Sequence, residues 1–267
     1  MLMLLGPLLA QAQGRPGSAP PADPVFDHTI TIGGSLGYNS ASTRVRLDAS
    51  DGTPGTPLDA ERDLGLDSGE LTGWAGVTLR PRPRHRIRAG LNYLPSDRSA
   101  RSVLDEDIRF GDETYFAGEE VASKLRIRTW SITYAFSFLR LPNAELAGSL
   151  GVTSIGVYAR AGVPARFVEE TEERSVPAPQ FGIEGAFRFA EGWYGEARYQ
   201  YVKVNASGDT GKLAQLDASV VFQFDPNIAA GLGYSLFDAD VERSDAGDGG
   251  LFRYKAHGPQ LFIRASF

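Results

Sequence analysis

From residue 28 onward the chain repeats one pattern. Apolar and polar residues alternate with period two, in long segments separated by turn-forming residues. A period of two sends successive side chains to opposite faces of a β-strand. In 28–38, Ile30, Ile32, Gly34, Leu36 and Tyr38 share one face. In 180–189, Phe181, Ile183, Gly185, Phe187 and Phe189 oppose Gln180, Gly182, Glu184, Ala186 and Arg188. In 193–202, Trp193, Gly195, Ala197, Tyr199 and Tyr201 oppose Tyr194, Glu196, Arg198, Gln200 and Val202. In 216–224, Leu216, Ala218, Val220, Phe222 and Phe224 oppose Asp217, Ser219, Val221 and Gln223. Segments of this length, bulky on one face and charged on the other, suit strands that cross a bilayer with the bulky face in lipid. A soluble sandwich alternates over shorter stretches.

The connections alternate between short and generally longer. The short turns are 81–85, 139–143, 190–192 and 225–227, and the longer connections are 39–69, 95–120, 164–178, 206–211 and 238–250. Short turns at one end and long loops at the other are the layout of an outer-membrane barrel. The pattern predicts an all-β fold: a single up-and-down antiparallel transmembrane β-barrel of about ten strands, near 28–38, 70–80, 86–94, 121–138, 144–158, 180–189, 193–203, 212–224, 228–237 and 252–267. The first long loop alternates again at 43–49, through Val45 and Leu47, and 58–64 could pair with it. That predicts a hairpin projecting beyond the membrane, with a twelve-strand barrel as the alternative.

An even count puts both termini on the turn side, expected to be periplasmic. Aromatic type agrees with this orientation. The turn side carries Phe136, Phe138, Phe187, Phe189, Trp193, Phe222, Phe224 and Phe267, and the loop side carries Tyr38, Tyr93, Tyr199, Tyr201 and Tyr234. Half-wet rings belong in two belts at the membrane surfaces.

No apolar run approaches the ~18 residues of a membrane-spanning helix. The longest, 1–10, is followed by Ala10-Gln11-Ala12 and reads as a signal peptide over 1–12, although no Lys or Arg precedes its core. Residues 13–27, with Pro16, Pro20, Pro21 and Pro24, read as a flexible periplasmic leader, leaving 28–267 as the barrel. The chain has no cysteine, so a secreted fold without disulfides must be held in another way. A closed barrel does this by pairing every backbone group around the ring. The net charge of −6 argues against nucleic-acid binding.

The last strand reads Gln260-Leu261-Phe262-Ile263-Arg264-Ala265-Ser266-Phe267. It resembles the C-terminal signal strand of small bacterial outer-membrane β-barrel proteins, and with the alternating segments the resemblance covers nearly the whole mature chain. It implies a Gram-negative outer-membrane location, contact with membrane lipid and lipopolysaccharide, and recognition by the barrel-assembly machinery. It singles out no subfamily.

Inside such a barrel the alternation places Arg80, Arg86, Arg88, Arg188, Arg198 and Arg264 against Glu70, Glu145, Glu184, Glu196 and Asp217. If Phe189 pairs with Trp193 around the 190–192 turn, Glu184 falls opposite Arg198, within reach of a cross-strand ion pair. A barrel of this size is little wider than one whose side chains fill it. The interior therefore reads as a charge network plugging the lumen, made by Arg86, Arg88, Glu145, Glu184, Arg188, Glu196, Arg198, Asp217 and Arg264, with a narrow polar pore as the alternative.

Barrels of this class include omptin proteases and lipid A-modifying hydrolases, whose chemistry needs a His beside a Ser or Asp. The chain has only His28, His85 and His257, with no such motif around them. The longer connections hold 24 acidic and 9 basic residues, so they carry −15 and the rest of the chain +9. Clusters such as Asp105-Glu106-Asp107 and 169–173 could meet a phosphate-rich surface through divalent cations. The stretch 244–250 has the composition of a Ca²⁺ loop without its full repeat. The basic turn at 80–86 could touch phospholipid head groups. Together these features predict a monomeric, non-enzymatic envelope protein with no cofactor and a structural or surface-interaction role. A small-solute, porin-like channel is the runner-up and an envelope hydrolase the third reading.

Overall fold

The alternating segments pair in chain order. A computed structural model describes residues 28–94, 96–163, 168–206, 209–243 and 249–267; the signal-peptide and leader readings, and most of 244–250, fall outside the described residues. The strands are β1 (Ile30–Leu47), β2 (Leu58–Asp59), β3 (Gly69–Arg82), β4 (His85–Leu94), β5 (Ser96–Val103), β6 (Ile108–Phe110), β7 (Glu113–Tyr115), β8 (Glu120–Leu141), β9 (Ala144–Val163), β10 (Val168–Ala190), β11 (Trp193–Ala206), β12 (Asp209–Asp225), β13 (Ile228–Arg243) and β14 (Gly250–Ser266). The ring runs β1-β3-β4-β8-β9-β10-β11-β12-β13-β14 and closes where β14 pairs with β1. β5 takes over from β4 along the same partner, from Leu91 opposite Trp130 to Ser96 opposite Ile127. The barrel therefore has ten antiparallel staves, and the twelve-strand alternative is not adopted.

Closure pairs the lower staves all round; higher up, among the described residues, β5 pairs with β8 alone and β1 beyond Ser40 pairs with β14 and with Leu58 and Asp59 of β2. The seam runs from Thr31 opposite Ser266 up to Leu47 opposite Gly250. At its turn end the Phe267 N–H donates to Ile30 O at 2.8 Å, and Phe267 O accepts from Thr29 N at 2.8 Å and Ile30 N at 3.0 Å. Each such bond contributes about 0.5–1.5 kcal/mol. Removing Phe267 is thus expected to lower the refolded fraction, read as heat-modifiable gel migration, well below that of Phe116→Ala, which trims a half-exposed loop ring. Equal refolding of the two variants would refute this role for the seam.

The polarity of the alternation reverses partway up the wall. Near the turn end the outward side chains of β8 are Trp130, Ile132, Phe136 and Phe138, all exposed. Near the loop end the same face carries Lys124, Arg126 and Arg128, while Val121, Leu125 and Ile127 are buried inside. β9 repeats this, with Leu150 and Val152 outward below and Arg160 outward above, where Ile155, Ala161 and Val163 point in. An apolar exterior suits lipid, and a charged exterior around an apolar interior suits water. The lower wall is therefore built for a bilayer, and the upper wall for solvent.

This reversal explains where the expected loop boundaries shift. The strands continue past the lipid-facing band, so much of the expected loop sequence is wall. β1 stays in the ring to Leu47 rather than leaving at 39, and only Arg44–Asp59 and Val45–Leu58 form the expected projecting hairpin. β9 and β10 stay paired to Val163 and Val168, turning most of the predicted 164–178 loop into strand. β13 likewise runs to Arg243.

Candidate functional site

The lower lumen is crossed by a ladder of ion pairs. Glu145 on β9 is almost fully buried; it meets Arg80 at 3.3 Å, Arg86 at 3.3 Å and Arg140 at 3.9 Å, and accepts a hydrogen bond from the Ser137 hydroxyl. Glu184 on β10 accepts from Arg86 at 3.0 Å and Arg88 at 3.1 Å. Nη2 of Arg86 therefore bridges the two carboxylates. Arg80, Arg86 and Arg88 stand on β3 and β4 and reach over β8, whose inward residues there are the small Thr133, Ala135 and Ser137, and Arg86 and Arg88 reach on past β9 to Glu184; Arg140 stands on β8 itself. On the other wall Arg198 binds Asp217 at 2.7 Å, and Arg264 of β14 reaches across two strands to Glu196 at 2.7 Å. Arg188 lies on the inward face of β10 and has interactions of its own.

The ladder corrects one expected pairing. Glu184 and Arg198 are register partners, as the turn at 190–192 implies. Their ion pairs nevertheless go elsewhere, Glu184 to β4 and Arg198 to β12. In a narrow tube a long guanidinium can choose among facing strands, and the gap left over β8 draws Arg86 and Arg88 to Glu184. Glu70 is not part of this layer and sits at the opposite end.

The charges do not fill the lumen. A cavity of about 370 Å³ runs beside them. It reaches from His28 and Arg80 at the turn end, along Thr31, Gly33, Ser35 and Gly37 of β1, to Asn39 and Tyr254. The space exists because the inward face of β1 is nearly bare. Trp74 also points into the lumen and lines it. Its ring lies flat against Gly76 and Gly90, where any Cβ would collide with it.

An apolar roof packs inside the loop end. Leu58, Ala60, Leu64 and Leu66 from 48–68, and Leu104, Ile108, Phe110 and Tyr115 from 104–119, pack on the inward residues of the upper wall. Burying each large side chain contributes about 1.5–3 kcal/mol. The two segments are stitched together and to the wall: Thr56 N donates to Arg109 O at 2.8 Å and Ser50 N to Asp112 Oδ1 at 2.7 Å, while Gly111 N donates to Leu47 O of β1 at 3.0 Å. Beneath them the buried Arg98 donates to Glu61 at 2.6 Å, to Thr43 Oγ1 at 2.6 Å and to Asp67 O at 3.1 Å. Glu70 accepts from the hydroxyls of Ser96 and Tyr254. Sequence reasoning missed this tether by placing 95–120 in a loop. The signal was the alternation of Ser96, Arg98 and Ala100, which puts all three on the inward face of β5.

Of the histidines singled out in the sequence, His28 lines the turn end of the cavity and the other two lie apart from it. His85 Nδ1 is 2.7 Å from Tyr134 Oη and His257 Nδ1 2.7 Å from Tyr234 Oη, both on the outer wall. Asp105, Glu106 and Asp107 are exposed, and Asp107 accepts from Ala117 N at 2.9 Å. Among the described residues no group of three His, Asp or Glu side chains could hold a metal ion. The side chains of the 169–173 cluster lie outside the described residues. The basic turn is partly spent inside: Arg80 binds Pro83 O and Glu145, and Arg84 donates to Ser137 O at 3.2 Å.

Comparison with solved structures gives the same architecture. The chain is similar to the outer membrane protease OmpT from Escherichia coli, with a TM-score of 0.57 at 11% identity over 91% of this chain and 98% of that one. A Pseudomonas aeruginosa FadL homologue matches at TM-score 0.38 and 8% identity over 91% of both chains. Ail of Yersinia pestis matches at TM-score 0.34 and 12% identity over 89% of this chain and 98% of that one. At this identity the likeness to OmpT shows a shared outer-membrane β-barrel fold. No protein-family model matches the chain, and no curated protein matches it.

Proposed function

We propose that this chain is a closed outer-membrane barrel of a Gram-negative bacterium, with a non-enzymatic structural or surface-interaction role. The observation that carries this reading is the apolar roof. It fills the loop end of the tube with side chains from 48–68 and 104–119, tethered through Arg98. In this reading the closure lies above the charge ladder, rather than being made by the charges of the lower lumen. Outside the roof the loops expose Asp105, Glu106 and Asp107, a surface suited to cation-bridged contact with lipopolysaccharide. The barrel acts as a monomer in this reading, with lipid and lipopolysaccharide as its standing partners and the assembly machinery as a transient one.

The two kinds of wall support the expected orientation. The charged upper wall belongs outside the cell and the short turns in the periplasm. Single cysteines at 106 and 142, in a chain that has none of its own, test this on intact cells. An impermeant maleimide is expected to label 106 and to spare 142 until the envelope is broken. Labelling of 142 with the envelope intact would reverse the orientation.

The small-solute channel remains the second reading, and the cavity of about 370 Å³ is what favours it. Proteoliposomes carrying the barrel are expected not to swell in an isosmotic pentose solution. Swelling at a porin-like rate would favour the channel instead.

A further inference from the structure

The cavity has an unequal lining. Five guanidinium groups border it, those of Arg80, Arg86, Arg88, Arg198 and Arg264, against three carboxylates, those of Glu184, Glu196 and Asp217. The carboxylates of Glu145 and Glu184 lie behind their partners, with side chains 1% and 6% exposed, whereas Arg86 and Arg88 keep 16% and 18% open. Arg80 and Arg140 share Glu145 with Arg86, so the surplus is not absorbed there.

Arg86 and Arg88 also use little of their donor capacity. A guanidinium carries five N–H donors in a planar fork. Each of these two reaches its carboxylates through Nη2 alone, and Nε of Arg86 and Nη1 of Arg88 are buried with no hydrogen-bond partner. Surplus positive charge held inside a low-dielectric wall is costly unless an anion accompanies it. Water fills about 30 Å³ per molecule, so the space holds an oxyanion with several waters.

We propose that the chamber is an oxyanion site, centred on Arg86 and Arg88 and filled from the turn end by a small phosphate-class anion. The fork geometry of arginine suits oxyanions, and the neighbouring Ser, Thr and Gly lining leaves room for the ion's hydration. The site depends on access at the turn end and not on the roof, so it stands or falls separately from the closed-barrel reading.

Trp74 lines the same cavity and reports on it. The test uses refolded full-length Trp130→Phe/Trp193→Phe protein, which leaves Trp74 as the sole tryptophan. Iodide is expected to quench Trp74 saturably, caesium is expected not to, and inorganic phosphate is expected to displace iodide. Glycerol 3-phosphate competing at least as well as phosphate would extend the ligand class to phosphate esters, and competition by phosphate alone would assign the site to the free ion. In Arg88→Gln the phosphate concentration needed for displacement is expected to rise about tenfold or more, the loss of one charge-assisted contact. Equal quenching by iodide and caesium, or iodide quenching that rises linearly and ignores phosphate, would overturn the proposal. These comparisons within the parent protein decide the matter even if Arg88→Gln fails to fold.

Discussion

Glu145→Gln is expected to destabilise the refolded barrel by about 3–5 kcal/mol, the cost of breaking a buried ion pair from one side. Glu145 is 1% exposed and answers Arg80, Arg86 and Arg140. The amide keeps the shape but removes the charge that compensates them. Glu196→Gln is the comparison, because its side chain is 31% exposed and faces Arg264. That change is expected to cost clearly less than Glu145→Gln, because the pair borders the cavity instead of lying behind it. Adding Arg86→Gln to Glu145→Gln should recover part of the loss, since one orphaned cation goes with it. Urea unfolding in detergent, followed by gel mobility, measures all three. Equal, small effects for Glu145 and Glu196 would mean that water screens the whole lumen.

Arg98→Ala is expected to cost a similar amount, about 3–5 kcal/mol, and to act on the roof. The Arg98 side chain is 3% exposed and ties Glu61 of the first loop to Thr43 of the wall. Its loss leaves Glu61 with only the Thr43 N–H and Glu70 with only the hydroxyls of Ser96 and Tyr254. The segment 48–68 should then detach, and limited proteolysis is expected to cut there while the ten-stave ring stays intact. Arg98→Lys should restore only part of the protection, because an ammonium cannot reproduce the fork's three contacts. A variant as protease-resistant as the parent would show that apolar packing alone holds the roof.

The ring was legible because period two is enforced on both sides of a wall, lipid outside and lumen inside. Glu184, Arg198 and Asp217 could be placed inward from 180–224 alone, and the 190–192 turn set Glu184 against Arg198. What could not be read is which facing charge each would choose. That depends on the small Thr133, Ala135 and Ser137 of β8, which let Arg86 and Arg88 reach Glu184. The roof was hidden for a different reason. Above the lipid band Leu125 and Ile127 face in while Lys124 and Arg126 face out, inverting the polarity sought in a lipid-facing strand. Short apolar runs around Leu58, Leu64 and Ile108 look like ordinary loop residues until the wall that buries them is in view.

Single-channel recording in a planar bilayer tests the closed lumen most directly. The parent barrel, inserted from detergent, is expected to show no steady current at either polarity if the apolar roof seals the loop end as proposed. Arg98→Ala, with its loosened first loop, is expected to show intermittent openings in the same membrane. A steady ohmic current through the parent protein, unchanged by Arg98→Ala, would contradict the closed barrel and establish an open channel.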